Sequence, residues 1–113
     1  MLGITLLGMK GEVLKGHLDL LLLAVLKDRP MHGYAIVETL RRRSRGEFDL
    51  PEGTIYPALH RLEREGWLES WWSEDSGRRR RVYQLTLRGH QALAMQQQEW
   101  QLFAQAVDAV TGI

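Results

Sequence analysis

The apolar and polar positions along the chain predict four helices and one pair of strands. Leu18 to Lys27 is apolar nearly all round, which suits a helix packed on several sides. It stops at Arg29-Pro30, because proline biases the residue before it out of the helical region. Tyr34, Val37 and Leu40 recur at three-residue intervals with Ile36 beside them. This predicts an amphipathic helix from about Gly33 to Arg43, its outer side carrying arginines. Gly46 to Leu50 reads as a loop. In the third helix Pro51 sits near the first turn, where its missing N–H costs nothing, and Asp49 is a candidate for setting the start. Ile55, Ala58, Leu59 and Leu62 fall on one side of that helix. Gly53, Pro57, His60 and Arg64 fall on the other, flanked by Thr54, Tyr56 and Arg61, and Gly66 is placed to end it.

Trp67 to Trp72 and Arg81 to Thr86 are strand-like, and Ser73 to Arg80 between them carries the turn chemistry Glu74-Asp75-Ser76-Gly77 followed by arginines. A hairpin with a basic tip is expected, with Trp67, Trp71 and Trp72 packing it on the helices or one of the three left exposed. Thr86 is placed to cap a last helix running to about Val110. Along it Leu93, Trp100, Phe103, Val107 and Val110 match alternating a and d positions of a heptad, with Gln96 breaking the seam. The expected fold is mainly α with a small β-hairpin. It divides into an extension over 1–13, a winged helix-turn-helix over 14–86 and a dimerisation helix over 87–113. The extension is either a free arm or a segment that embraces a dimer.

Composition narrows the function. A chain of 113 residues with 44% hydrophobic content supports one core and leaves no room for a separate catalytic domain. The absence of Cys excludes a disulfide framework, a thiolate metal site and a Cys nucleophile, and fits a cytoplasmic location. Met1 to Met9 lacks the basic region and cleavage pattern of a signal peptide. That stretch is also too short to span a bilayer, and Leu20 to Leu26, bounded by Asp19 and Lys27, reads as a buried helix, so no membrane segment is expected. No phosphate loop, G-x-S-x-G motif or paired acid and base stands out, so no enzyme and no cofactor is expected. His17, His32, His60 and His90 lack metal-ligand spacing; His32 reads as a helix-start residue.

The formal net charge of +1 is uninformative, but its distribution is not. Arginines cluster at 41–45, at 61 and 64, and at 78–81. Any one cluster is by default a solvated surface; three that converge make a site for a polyanion. Three helices followed by a hairpin is the order of a winged helix-turn-helix, whose third helix enters the major groove. The candidate DNA contacts are Thr54, Tyr56, Pro57, His60, Arg61 and Arg64 on that helix, and Arg78, Arg79 and Arg80 on the wing. Arg81 is expected to pair with Glu69 or another carboxylate. Tyr34 is read either as a phosphate contact or as a core residue. The rival reading is a winged-helix module that docks on protein or RNA.

The run Leu14-Lys15-Gly16-His17-Leu18-Asp19-Leu20-Leu21-Leu22, then His32-Gly33-Tyr34, then Glu52 to Glu63 (EGTIYPALHRLE), then Gly77 to Tyr83 and Leu85-Thr86 with Gly89, closely resembles the PadR family of bacterial transcription regulators. The resemblance implies a winged-helix repressor, usually a homodimer on a pseudo-palindromic operator, that responds to a small molecule or stress signal. The single helix after the wing resembles the smaller subfamily. In its drug-responsive members an aromatic residue on that helix stacks on planar ligands at the dimer interface, and Trp100 occupies the matching position. Trp100 either does the same or fills the dimer core. Pro51 and Leu87 depart from the family pattern, which often has a capping residue at the first and proline at the second.

Overall fold

Four helices and three strands follow one another along residues 16–112, the part of the chain that the computed structural model describes. They are α1 (Leu18–Val25), β1 (Met31–His32), α2 (Gly33–Arg43), α3 (Glu52–Arg64), β2 (Leu68–Asp75), β3 (Arg78–Leu85) and α4 (Leu87–Thr111). The expected extension at 1–13 lies outside the described residues. α1 is apolar all round because it is covered by α2, α3 and α4 together, and Leu22 and Leu23 have no solvent contact. It ends at Val25, two residues before the predicted Lys27.

α2 has the predicted limits, and Ile36, Leu40 and, in part, Val37 face the core as predicted, with Arg41 to Arg43 outside; Tyr34 does not. Gly33, Ile36, Thr39 and Leu40 are buried, whereas Tyr34 is 58% exposed. The inward position of the first turn belongs to Gly33, which lies against the ring of Tyr56 so closely that a Cβ there would overlap it. Tyr34 is thereby turned outward, so the core reading of this residue is corrected. His32 caps the helix, its Nδ1 accepting from the Ala35 amide at 3.3 Å.

α3 is started by Pro51, whose carbonyl accepts from the amides of Thr54 and Ile55 at 2.9 and 3.2 Å. No side chain caps it, so Asp49 does not set its start. Its inner face carries Ile55, Leu59 and Leu62 without solvent contact, and each such side chain contributes about 1.5–3 kcal/mol by leaving water. At the other end Gly66 takes a φ of +82°, and the Trp67 amide returns to the Leu62 carbonyl at 3.0 Å.

The hairpin is longer and its turn tighter than predicted. Only Ser76 and Gly77 form the turn, with φ of 53° and 76°; two successive positive values are the condition of the type I′ connection that matches strand twist. The strands pair from Leu68↔Leu85 to Asp75↔Arg78, so the arginines expected in a loop stand in β3. β1 adds a third antiparallel strand in the order β1-β3-β2, pairing only Met31↔Tyr83 and His32↔Val82. The edge of β3 from Arg78 to Arg81 is left open.

Thr86 joins the hairpin to α4. Its Oγ1 accepts from the Gly89 amide at 3.0 Å and donates to the Gly66 carbonyl at 2.6 Å, and its amide donates to the Trp67 carbonyl at 3.1 Å. This clasp brings Gly89 onto the Trp67 carbonyl, leaving no space for a Cβ. Leu93, one turn on, is only 2% exposed and belongs to the core of its own chain, which removes it from the predicted seam. No residue of α4 beyond it is buried.

Gly89→Ala tests the clasp. In an unconstrained helix this change stabilises by about 0.5–1 kcal/mol. Here it is expected to destabilise by about 1–3 kcal/mol, because the methyl meets backbone. Urea denaturation gives the sign.

Candidate nucleic-acid interface

Burial of Ile55, Ala58, Leu59 and Leu62 turns Gly53, Pro57, His60 and Arg64 to solvent, as the helical spacing predicts. Pro57 has no N–H, so the Gly53 carbonyl cannot receive the usual helical bond from one turn on. The two flanks differ. Thr54 is exposed, but Arg61 does not project freely: its Nη2 and Nη1 reach the two oxygens of Asp19 on α1 at 2.5 and 3.0 Å, and Nη1 lies 3.5 Å from Glu65. On the opposite flank Tyr56 leans over Gly33. Burial, then the Glu52 carboxylate, push its phenol up from the ordinary range, so at neutral pH it keeps its proton and can donate. Further along that flank Glu63 accepts from Ser70 Oγ at 2.7 Å and lies 3.6 Å from Arg81.

The open edge of β3 faces the beginnings of α2 and α3 across a groove of about 790 Å³. His32, Tyr34, Glu52 and Tyr56 line one side, Trp72 and Arg78 to Arg81 the other. Trp72, 52% exposed, stands opposite Arg81 in the ladder and is flanked by guanidinium groups, Arg79 at 4.7 Å and Arg81 at 5.3 Å from the ring centroid. Such contacts contribute about 0.5–1 kcal/mol each at exposed sites and hold the planes in place. Arg78 and Arg79 are opposite Asp75 and Glu74, yet among the described residues only Arg81 of the four forms an ion pair. Its partner is Glu63; Glu69 instead accepts a hydrogen bond from Gln84. Arg80 Nη1 lies 2.8 Å from His32 Nε2.

The structure therefore brings Tyr34, Tyr56, Arg78, Arg79 and Arg80 to one groove, with Thr54, Pro57, His60 and Arg64 continuing along α3. Arg61 is set aside against α1. Sequence reasoning missed Trp72, expected in the packing, and the link from His32 to Arg80. The signal for Trp72 was the Ser76-Gly77 turn itself, since a two-residue connection there fixes Trp72 opposite Arg81. For His32 there was no local signal, because its partner is 48 residues away.

A second surface lies on α4, where Trp100, Phe103, Val107 and Val110 are exposed, with Leu102 and Met95 beside them. The Trp100 ring meets His17 edge-on at 5.1 Å and Phe103 at 6.0 Å. They border a groove of about 280 Å³ whose other walls include Asp19, Gln96 and Glu99.

Three helices with the third open on its outer side, followed by an arginine-bearing hairpin, define a winged helix-turn-helix protein. The chain belongs to the transcriptional regulator PadR-like family, whose profile matches residues 22–95. A PadR family transcription regulator from Clostridium difficile is 34% identical with a TM-score of 0.75, the match covering 84% of this chain and 98% of that one. A transcriptional regulator from Clostridium thermocellum is 27% identical with a TM-score of 0.80, covering 88% and 94%. In sequence, a transcriptional regulator from Mycobacterium tuberculosis is 41% identical over 66 residues, 58% of this chain and 59% of that protein. Membership in a transcription-regulator family carries DNA binding with it.

The Asp19–Arg61 pair orients α3 more than it stabilises it, since Arg61 is 41% exposed. A double-mutant cycle with Asp19→Asn and Arg61→Ala is expected to give a coupling of at most about 1 kcal/mol that shrinks in high salt. A larger, salt-independent value would make the pair part of the core.

Proposed function

We propose that the chain is a repressor acting as a homodimer on a pseudo-palindromic operator, with a unit over 14–86 that contacts DNA and a helix over 87–113 that pairs the two copies. The observation that carries the DNA contact is the groove shared by the start of α3 and the wing, in which Arg78, Arg79 and Arg80 have no carboxylate partner among the described residues. α3 enters the major groove with Thr54, Tyr56, Pro57, His60 and Arg64 towards bases and phosphates. The wing arginines and Tyr34 hold the flanking backbone. Arg61 contributes less, being neutralised by Asp19.

Pairing is supported by the apolar side of α4. Trp100, Phe103, Val107 and Val110 stay open to water on a helix of 25 residues that buries nothing beyond Leu93. A small planar effector fits the groove beside Trp100 in this reading, where the ring offers a stacking face. Through its different affinity for two dimer arrangements it changes the spacing of the two α3 helices. No helix among the described residues is long and apolar enough to cross a membrane.

Fluorescence anisotropy on a duplex of the chain's own upstream region is expected to show tight, salt-sensitive binding that a scrambled duplex does not match. Arg64→Ala and Arg79→Ala each weaken it about 5- to 30-fold and lower the salt slope by about one, while Arg61→Ala does less. Unchanged affinity in both of the first two removes the contact assignment. In sedimentation velocity Val107→Glu is expected to convert dimer to monomer. Trp100→Ala retains DNA binding and loses the response to planar ligands; a retained response would place the effector elsewhere.

A further inference from the structure

His32 is claimed by two donors. The Ala35 amide points at Nδ1 from 3.3 Å, and the Arg80 guanidinium reaches Nε2 at 2.8 Å. Neither an amide N–H nor a guanidinium can accept, and a neutral imidazole offers a lone pair on one nitrogen only. With the proton on Nε2, α2 is capped and the Nε2–H confronts the guanidinium. With the proton on Nδ1, Arg80 is held by a charge-assisted bond and the cap is lost. The ladder leaves Arg80 little choice of neighbours, since Ser73 stands opposite it and no carboxylate is within ion-pairing distance among the described residues.

We propose that His32 restrains Arg80 in the free protein, and that transfer of Arg80 to a DNA phosphate breaks this contact and couples binding to the proton state of His32. The proposal rests on the DNA reading above, and deepens it by giving one wing arginine a partner that must be left. Once a phosphate takes the guanidinium, the imidazole settles into the tautomer that caps α2. Protonation acts in the same direction, because an imidazolium has no lone pair for Arg80 and repels it.

The surroundings decide the direction of the pH effect. Burial first, then the Arg80 charge, hold His32 below the ordinary histidine range, while Asp75 on β2 opposes them. Glu52 and Tyr56 on α3, Tyr34 on α2 and the other three wing arginines line the same groove. When Arg80 leaves for a phosphate, the second of those causes is relieved and a negative charge arrives. The pKa is then higher in the complex than in the free protein, so binding takes up a proton. Affinity rises as pH falls through the window between the two values and is indifferent to His32 above it.

His32→Asn separates the roles, because asparagine keeps an N-cap acceptor and has neither the second nitrogen nor a titration. On the duplex of the chain's own upstream region at about pH 7.5 it is expected to bind about two- to fivefold tighter than the parent. It also loses the extra tightening that the parent shows towards about pH 5.5; His90→Asn, exposed on α4 and away from the groove, leaves that extra tightening in place. Nitrogen-15 NMR of the free protein supplies an arm without DNA: Arg80→Ala is expected to raise the His32 titration midpoint and shift its tautomer towards Nε2–H. An unchanged His32 titration in Arg80→Ala overturns the contact. Equal or weaker binding by His32→Asn, to a duplex the parent binds, overturns the coupling. A duplex bound by no variant counts against the DNA reading, and the NMR arm then decides the His32 contact by itself.

Discussion

Burial of Ile55, Leu59 and Leu62 under α3 determines more of this molecule than any polar contact in it. Three side chains with no exposure fix the rotation of the helix about its axis, because turning it by one residue would return them to water at about 1.5–3 kcal/mol each. With the rotation fixed, one flank meets Asp19 of α1 through Arg61 and the other meets the hairpin through Glu63. These half-exposed pairs are too weak to hold the elements together. They select an orientation among packings that the apolar core already permits.

α1 links the two surfaces. Asp19 grips Arg61 on the helix that carries the outer face, and it also lines the groove beside Trp100 on α4. His17, two residues earlier, touches the Trp100 ring. One short helix and its N-cap residue thus have a polar hold on α3 and an aromatic contact with the helix whose apolar side stays open to water.

Much of this was legible in the order of residues, and the failures have physical causes. α3 and α4 were readable because their apolar positions keep a helical period and because Gly66 and Thr86 mark an end and a start. In α2 the period puts Ile36, Val37 and Leu40 on the core side correctly and takes Tyr34 with them incorrectly. A glycine carries no hydropathy, so the inward place of Gly33 was invisible until Tyr56 was seen across it. The strands were read too short because Glu74, Asp75 and Arg78 to Arg80 have weak strand propensity, and a tight turn with a continuous ladder overrode that preference. Arg61 and Arg64 look alike in sequence. Which of them stays free depends on Asp19, 42 residues before Arg61. Leu93 fits the heptad as well as Phe103 does, and the chain's own core claims it first.

The two-residue turn at Ser76-Gly77 restricts how such a wing can change length. In a ladder closed by so short a connection, successive side chains alternate between faces, so Arg79 and Arg81 share the Trp72 side while Arg80 points with Val82 towards His32. Insertion of one residue in β3 between Arg79 and Arg80 would leave Arg80 in place and send Arg78 and Arg79 to the opposite faces, parting Arg79 from the indole. Insertion of a matched pair, one residue in each strand, would move the tip outward while the ladder from Trp72 and Arg81 inward kept its register. Wings of this design can therefore be lengthened in symmetric steps, and a single-residue insertion or deletion changes which arginines share a face.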